Sequence, residues 1–154
     1  MFKRVAFTSS LPTQHRGRLE EIFFFNPHQG RLREQIIRSV EKHGNPEICE
    51  RNGSLCIAVA GVPEAQCLYA LSDGKAGPLL VGVVVFNRSG PEALEILHIA
   101  ADENFGLSGR RTPVGILLVE ELLRIARQIH GIKSLHLPYG RGTVKIKEPG
   151  ATGR

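Results

Sequence analysis

Apolar residues return along the chain with two different periods, and the switch between them divides it. Val114, Leu118, Leu122, Ile125 and Ile129 recur at spacings of three and four, which stacks them on one face and predicts a helix over 114–129. Thr112 is of a type that caps helix N-termini, Pro113 lacks the N–H that a first helical residue has no use for, and Gly131 supplies a stop. Leu32, Ile36, Ile37 and Val40 form a second stripe within 31–43, ended by Gly44. Residues 15–25 read as a shorter helix, separated from the second by Asn-Pro-His-Gln-Gly.

After Arg51-Asn-Gly-Ser the period shortens. Residues 55–62, 67–71, 79–86 and 93–101 are short apolar segments divided by Gly, Pro, Asn and Asp, which predicts successive antiparallel strands. Ser72-Asp-Gly-Lys-Ala-Gly-Pro and Asn87-Arg-Ser-Gly-Pro-Glu read as turns between them. A first strand is expected over 3–11, closed by Pro12, and a further one over 133–137 before Pro138. Residues 143–147 alternate polar and apolar and are expected to pair back across the Pro-Tyr-Gly-Arg-Gly loop. All these strands need cover and the chain offers three amphipathic helices. The expected fold is therefore α/β: one domain over 1–147 with a mixed, largely antiparallel sheet of five or more strands and helices on both faces. The sheet is expected to include 3–11, and residues 148–154 read as a flexible basic tail.

Composition narrows the function classes. A chain of 154 residues that is 42% hydrophobic can build one real core. Its apolar runs, the longest over 79–86 and 115–119, fall far short of the roughly 20 residues that span a bilayer, and the first residues lack a long apolar stretch of signal-peptide type. A soluble, cytoplasmic protein without a membrane partner is expected. Cys49, Cys56 and Cys67 are odd in number and show no C-x-x-C spacing, so they read as buried thiols and not as a disulfide framework or zinc site. The histidines show no H-E-x-x-H and the serines no Gly-x-Ser-x-Gly, which argues against metalloenzyme and hydrolase chemistry and for no metal.

The formal charge of +5 raises the question of nucleic acid. Much of the excess sits at the end of the chain, where Arg141, Lys145, Lys147 and Arg154 face Glu148 alone, and a solvated tail accounts for it. The Phe23-Phe24-Phe25 run follows Glu20 and Glu21, unlike a base-stacking platform, and reads as core or as a homodimer contact.

Chemistry concentrates between Leu94 and Gly115, in an apolar strand, an irregular loop with Arg110 and Arg111, and the start of the 114–129 helix. The first amides of a helix have no intrahelical partner and lie at the positive end of its dipole, so with two arginines beside them they suit an anion such as a diphosphate. The plain alternative is that both arginines are solvated loop residues and Gly115 serves helix packing.

Two helices, a meander of strands, then strand, basic loop, long helix and strand is an order similar to the GNAT superfamily of acetyl-CoA-dependent N-acyltransferases. In that family a loop with the pattern Gln or Arg, two residues, Gly, one residue, Gly or Ala binds the coenzyme A pyrophosphate through its amides. Arg110-Arg111-Thr112-Pro113-Val114-Gly115 matches the Arg and the final Gly, with Pro113 at the middle glycine. The resemblance implies cofactor contacts at Arg110, Arg111, Thr112, Pro113, Val114 and Gly115. It also implies that Ile99, Ala100 and Ala101 border the pantetheine arm, on the family's bulged fourth strand. Glu95 stands where some members carry the base that deprotonates the acceptor amine, and Tyr139 is positioned in sequence to serve as the acid for the leaving thiolate. A strand-edge carboxylate facing water is the alternative for Glu95, and a packed or exposed bystander that for His98. Asp102 and Glu103 read as loop carboxylates. The loop over 102–109 is longer than the family's, and the chain ends where most members continue. The expected activity is transfer of an acetyl group from acetyl-CoA to an unidentified primary amine. The alternative is a GNAT-like module that binds an acyl-CoA without catalysis.

Overall fold

Two-residue turns and short connections set most of the strand pairing. The computed structural model describes residues 4–24, 33–74, 76–102, 112–138 and 142–146. In chain order these form β1 (Val5–Thr8), β2 (Leu11–Pro12), α1 (Arg16–Phe23, entered through a single 3₁₀ turn at Thr13–His15), α2 (Arg33–His43), β3 (Pro46–Arg51) and β4 (Ser54–Val59). There follow β5 (Gln66–Ser72), β6 (Leu79–Gly90), β7 (Ala93–Ala101), α3 (Val114–Gln128), β8 (Ser134–His136) and β9 (Thr143–Lys145).

The larger sheet runs β1-β5-β6-β7-β8-β9, antiparallel at every pair except β7 with β8, which is parallel. The expected mixed and largely antiparallel sheet is therefore present, with β1 inside it through Val5↔Ser72 to Thr8↔Tyr69. The parallel step is the one made through α3, because a helical crossover can return the chain for a second strand in the same direction.

Three strand expectations need correction: of the strand expected over 3–11, only Val5–Thr8 joins this sheet, while Leu11 pairs with Leu55 as part of β2 in the other one. Residues 55–62 do not belong to this meander: β4 pairs with β3 and β2 in a separate three-stranded sheet. The cause is the Asn52-Gly53 turn, where both residues take positive φ (52° and 78°), the geometry of a tight hairpin that folds β4 back on β3. Residues 46–51 carry few apolar side chains, and their strand character comes from that pairing. Finally, residues 87–90 are not a turn. β6 continues through Gly90 and pairs with β7 through Arg88↔Leu94 and Gly90↔Ala93, which leaves Ser89 as an extra residue.

Packing follows strand alternation, because successive side chains point to opposite faces. Val83 and Val85 join a buried cluster with Leu19, Ile22 and Phe23 of α1 and with Ile57 and Val59 of β4. Val84 and Phe86 join a second cluster with Val114, Leu118, Leu122 and Ala126 of α3 and with Leu135 of β8. Gly82 permits the close approach of α3: a Cβ there would lie 2.8 Å from Val114 Cγ1 and 2.9 Å from Leu118 Cδ1. The stripe expected on α2 is only partly used, since Ile37 is 46% exposed.

Candidate functional site

The β7–β8 ladder is short. It covers Ala93↔Ser134, Leu94↔Leu135 and Glu95↔His136, while the β7–β6 ladder continues to Ala101↔Gly82. From His136 onward the chain turns toward β9, with the Leu137 N–H bonded to Gly142 O at 2.8 Å. Just past the last shared pair, β7 bulges: Phe86 pairs with Ile96 and Val85 with His98, so Leu97 is the extra residue. Its carbonyl accepts a hydrogen bond from Ser39 Oγ of α2 at 3.3 Å.

A cleft of about 680 Å³ opens here. It is lined by Glu95, Ile96 and Leu97 of β7, by Ser39, Lys42 and His43 of α2, and by residues of β6, β8 and β9. Glu95 is its one carboxylate among the described residues. Glu95 Oε1 lies 3.4 Å from His43 Nε2 and 3.9 Å from Lys42 Nζ, and its side chain is 22% exposed. Arg38 and His136 also line the cleft, so a single acid stands within a basic wall. Asn87, the cross-strand partner of Glu95 on β6, has its Oδ1 buried without a hydrogen-bond partner among the described residues.

Behind Leu97, His98 is 2% exposed, and its ring meets Phe23 edge to face at 5.6 Å. Burial, and after it the nearby His43, lowers its pKa to about 4. His98 is thus neutral near pH 7, held in the core face and not presented to the cleft lining.

The far end of β7 leads toward the start of α3. Ala100 is buried, Ile99 packs against the α3-side cluster, and Ala101 pairs with Gly82. Asp102 is engaged by α1: Arg18 Nη2 bonds its Oδ2 at 2.6 Å while Arg18 Nε donates to Leu80 O at 2.9 Å. The carboxylate read as a loop residue therefore anchors the end of the strand.

The start of α3 corrects the expected cap. Pro113 occupies the N-cap position (φ −58°, ψ 146°) and no side chain of the described residues bonds there; Val114 is the first helical residue. Proline drives the residue before it toward extended backbone, which moves Thr112 outside the helix. The Pro113 carbonyl accepts from Ile116 and Leu117. Among the described residues, a Cβ at Gly115 would have only Ile99 Cδ1 near it, at 4.0 Å.

Of the residues singled out from sequence, Glu95 lies in the cleft, while Ile99, Ala100 and Ala101 continue the same strand beyond it. Thr112, Pro113, Val114 and Gly115 sit at the α3 start. Arg110, Arg111, Glu103 and Tyr139 lie outside the described residues. The other tyrosine, Tyr69, is fixed in the core with its hydroxyl donating to Leu55 O at 3.1 Å, and burial raises its pKa. Sequence reading missed Ser39, Lys42 and His43. A signal was present in Gln35, Arg38, Ser39 and Lys42, which repeat at i, i+3, i+4 and i+7 as a polar stripe of the kind solvated helix faces also show. Comparison with protein-family models, curated proteins and solved structures found no match to this chain.

Proposed function

We propose that the chain is an acyl-CoA-dependent N-acyltransferase of GNAT type, with the cleft at Glu95 receiving the amine and the strand from Ile99 to Ala101 bordering the cofactor. The observation that carries this reading is the end of the β7–β8 ladder at Glu95 and His136, immediately followed by the Leu97 bulge. Two parallel strands that pair briefly and then part open a slot between them, and a thioester arm laid along such a slot meets the cleft at one end. From Glu95 to Ala101 the strand spans roughly 20 Å at about 3.3 Å per residue, and an extended pantetheine arm is of comparable length. Val114 and Gly115, the first residues of α3, supply amides at the positive end of the helix dipole for the pyrophosphate. In the architecture this reading takes, α1 covers one sheet face and α3 the other, as the two alternating clusters of β6 side chains support.

The chemistry asks little covalent work of the protein. An ammonium group is not nucleophilic, so its proton must leave first, and Glu95 is the basic group positioned to take it, directly or through water. The neutral amine then attacks the thioester carbonyl. The C–N bond forms, the C–S bond breaks, and the thiolate leaves and is protonated, giving an N-acetyl amine and free coenzyme A. Positioning of both substrates supplies much of the rate. His43 Nε2 and Lys42 Nζ both lie within 4 Å of Glu95 Oε1 and hold the carboxylate at the cleft wall.

A second reading is kept because of Pro113. At the place of the family's middle glycine it removes one amide donor, which favours a module that holds an acyl-CoA without turning it over. Release of coenzyme A thiol, followed with a panel of primary amines and acetyl-CoA, separates the two. Amine-dependent release supports the enzyme, and cofactor binding with no release across the panel supports the module.

A further inference from the structure

The three thiols of the chain do not line the cleft. Two of them, Cys49 on β3 and Cys56 on β4, are direct partners in an antiparallel ladder. Such partners have Cα atoms about 4.5–5.5 Å apart, inside the roughly 4.4–6.8 Å that a disulfide bridges. Their side chains leave the same face of the hairpin, and the register is fixed by the two-residue Asn52-Gly53 turn three positions away. Both side chains are half-exposed, and Cys49 lies close enough to Cys56 to raise the cost of a charge on the Cys56 thiol. Arg51 lies two residues from Cys49 on the same strand face, and its charge opposes only in part the rise in the Cys56 pKa.

Cys67 is placed differently. It belongs to β5 in the other sheet, where its Sγ accepts the Ile57 N–H at 3.4 Å and donates to Ile57 O at 3.7 Å. Burial raises the pKa of Cys67, and that of Cys56 is pushed up to about 11, first by burial and then by the neighbouring Cys49. Cys49 and Cys56 are both free cysteines in this structure.

We propose that the β3–β4 hairpin is a thiol-oxidation site, in which Cys49 and Cys56 close a reversible disulfide on meeting a small-molecule disulfide such as oxidised glutathione. One protein thiolate attacks a glutathione sulfur, forming a mixed disulfide and releasing one glutathione thiol. The second protein thiolate attacks the protein-bound sulfur of that mixed disulfide, so the Cys49–Cys56 bond forms and the second glutathione leaves. Two electrons and two protons pass from the protein pair to the glutathione pair. The stapled hairpin is the element that holds the last turn of α2, since Gly61 N donates to His43 O at 2.7 Å and Ala60 N to Asn45 O at 3.3 Å.

The test treats the full chain with oxidised glutathione, alkylates the remaining thiols after unfolding, and maps the peptides by mass. The proposal expects wild type to lose the mass of two hydrogens and keep one alkylatable thiol, at Cys67, with reversal by dithiothreitol. Cys67→Ser should form the same bond and keep no free thiol, while Cys49→Ser should stop at a mixed disulfide. Three alkylatable thiols in treated wild type, a bond that includes Cys67, or two bound glutathiones without an internal bond would each overturn it. The Cys67→Ser variant keeps the question decidable if Cys49→Ser does not fold.

Discussion

His43 Nε2, at the end of α2, stands 3.4 Å from Glu95 Oε1, on the last residue of β7 that pairs with β8. The contact joins the start of the cleft to the helix above it, and the Ser39 hydroxyl fixes the next turn of that helix to the Leu97 bulge. An acid held this way has two basic neighbours, Lys42 and His43 at the end of α2, and lines an open cleft. It is the residue on which enzyme and binding module differ most.

Glu95→Gln keeps size and much of the hydrogen bonding but removes the basic site. Turnover of an amine acceptor should fall by roughly 10² to 10⁴ near neutral pH, with acetyl-CoA affinity nearly unchanged. The deficit should shrink as pH rises, because more of the amine is then already neutral. A variant that acetylates at the wild-type rate makes Glu95 a structural strand residue.

Gly115→Glu should weaken acetyl-CoA binding at least tenfold, about 1.4 kcal/mol or more, in a calorimetric titration. Among the described residues the only atom near the added Cβ is Ile99 Cδ1 at 4.0 Å, and a carboxylate suits the first turn of a helix, so the melting curve should barely move. Wild-type affinity in this variant removes the α3 start from the cofactor site.

Gly82→Ala probes the packing of α3 on the sheet. The new methyl would meet Val114 Cγ1 at 2.8 Å, Leu118 Cδ1 at 2.9 Å and Ala100 O at 3.3 Å, all on elements that cannot simply swing aside. A loss of about 1–3 kcal/mol in denaturant unfolding is expected. A neutral result means that α3 sits farther from β6 than described.

His98 gives stability a pH dependence whose sign is fixed. Its folded pKa is about 4, lowered by burial and then by His43, against about 6.5 unfolded. The unfolded chain therefore binds the proton first, and stability present above about pH 6.5 is lost as pH falls toward 4, by at most roughly 3 kcal/mol. Unfolding curves of wild type and His98→Gln across that window should show a flatter slope for the variant. Equal slopes would assign the acid sensitivity elsewhere.

How far the sequence revealed this arrangement depended on whether a signal was local. The 3.6-residue stripe from Val114 to Ile129 set α3 to within a residue, and the apolar run over 93–101 coincides with β7. Glu95 was singled out through the resemblance of its strand to the fourth strand of the GNAT superfamily, not through a local physical signal. The β3–β4 sheet was not legible, since Pro46-Glu-Ile-Cys-Glu-Arg has little strand character until β4 pairs with it. Asn87-Arg-Ser-Gly carried the residues of a turn, yet pairing with Ala93 and Leu94 overrode them. The α2 wall of the cleft was hidden for a different reason: a polar helix stripe that lines a cleft and one that faces water have the same spacing.

The most direct measurement is an isothermal titration of the full chain with acetyl-CoA. The account predicts saturable binding of one cofactor per chain, with a dissociation constant between about 1 μM and 1 mM, or roughly −8 to −4 kcal/mol. Absence of binding at millimolar acetyl-CoA would contradict it, for enzyme and module alike.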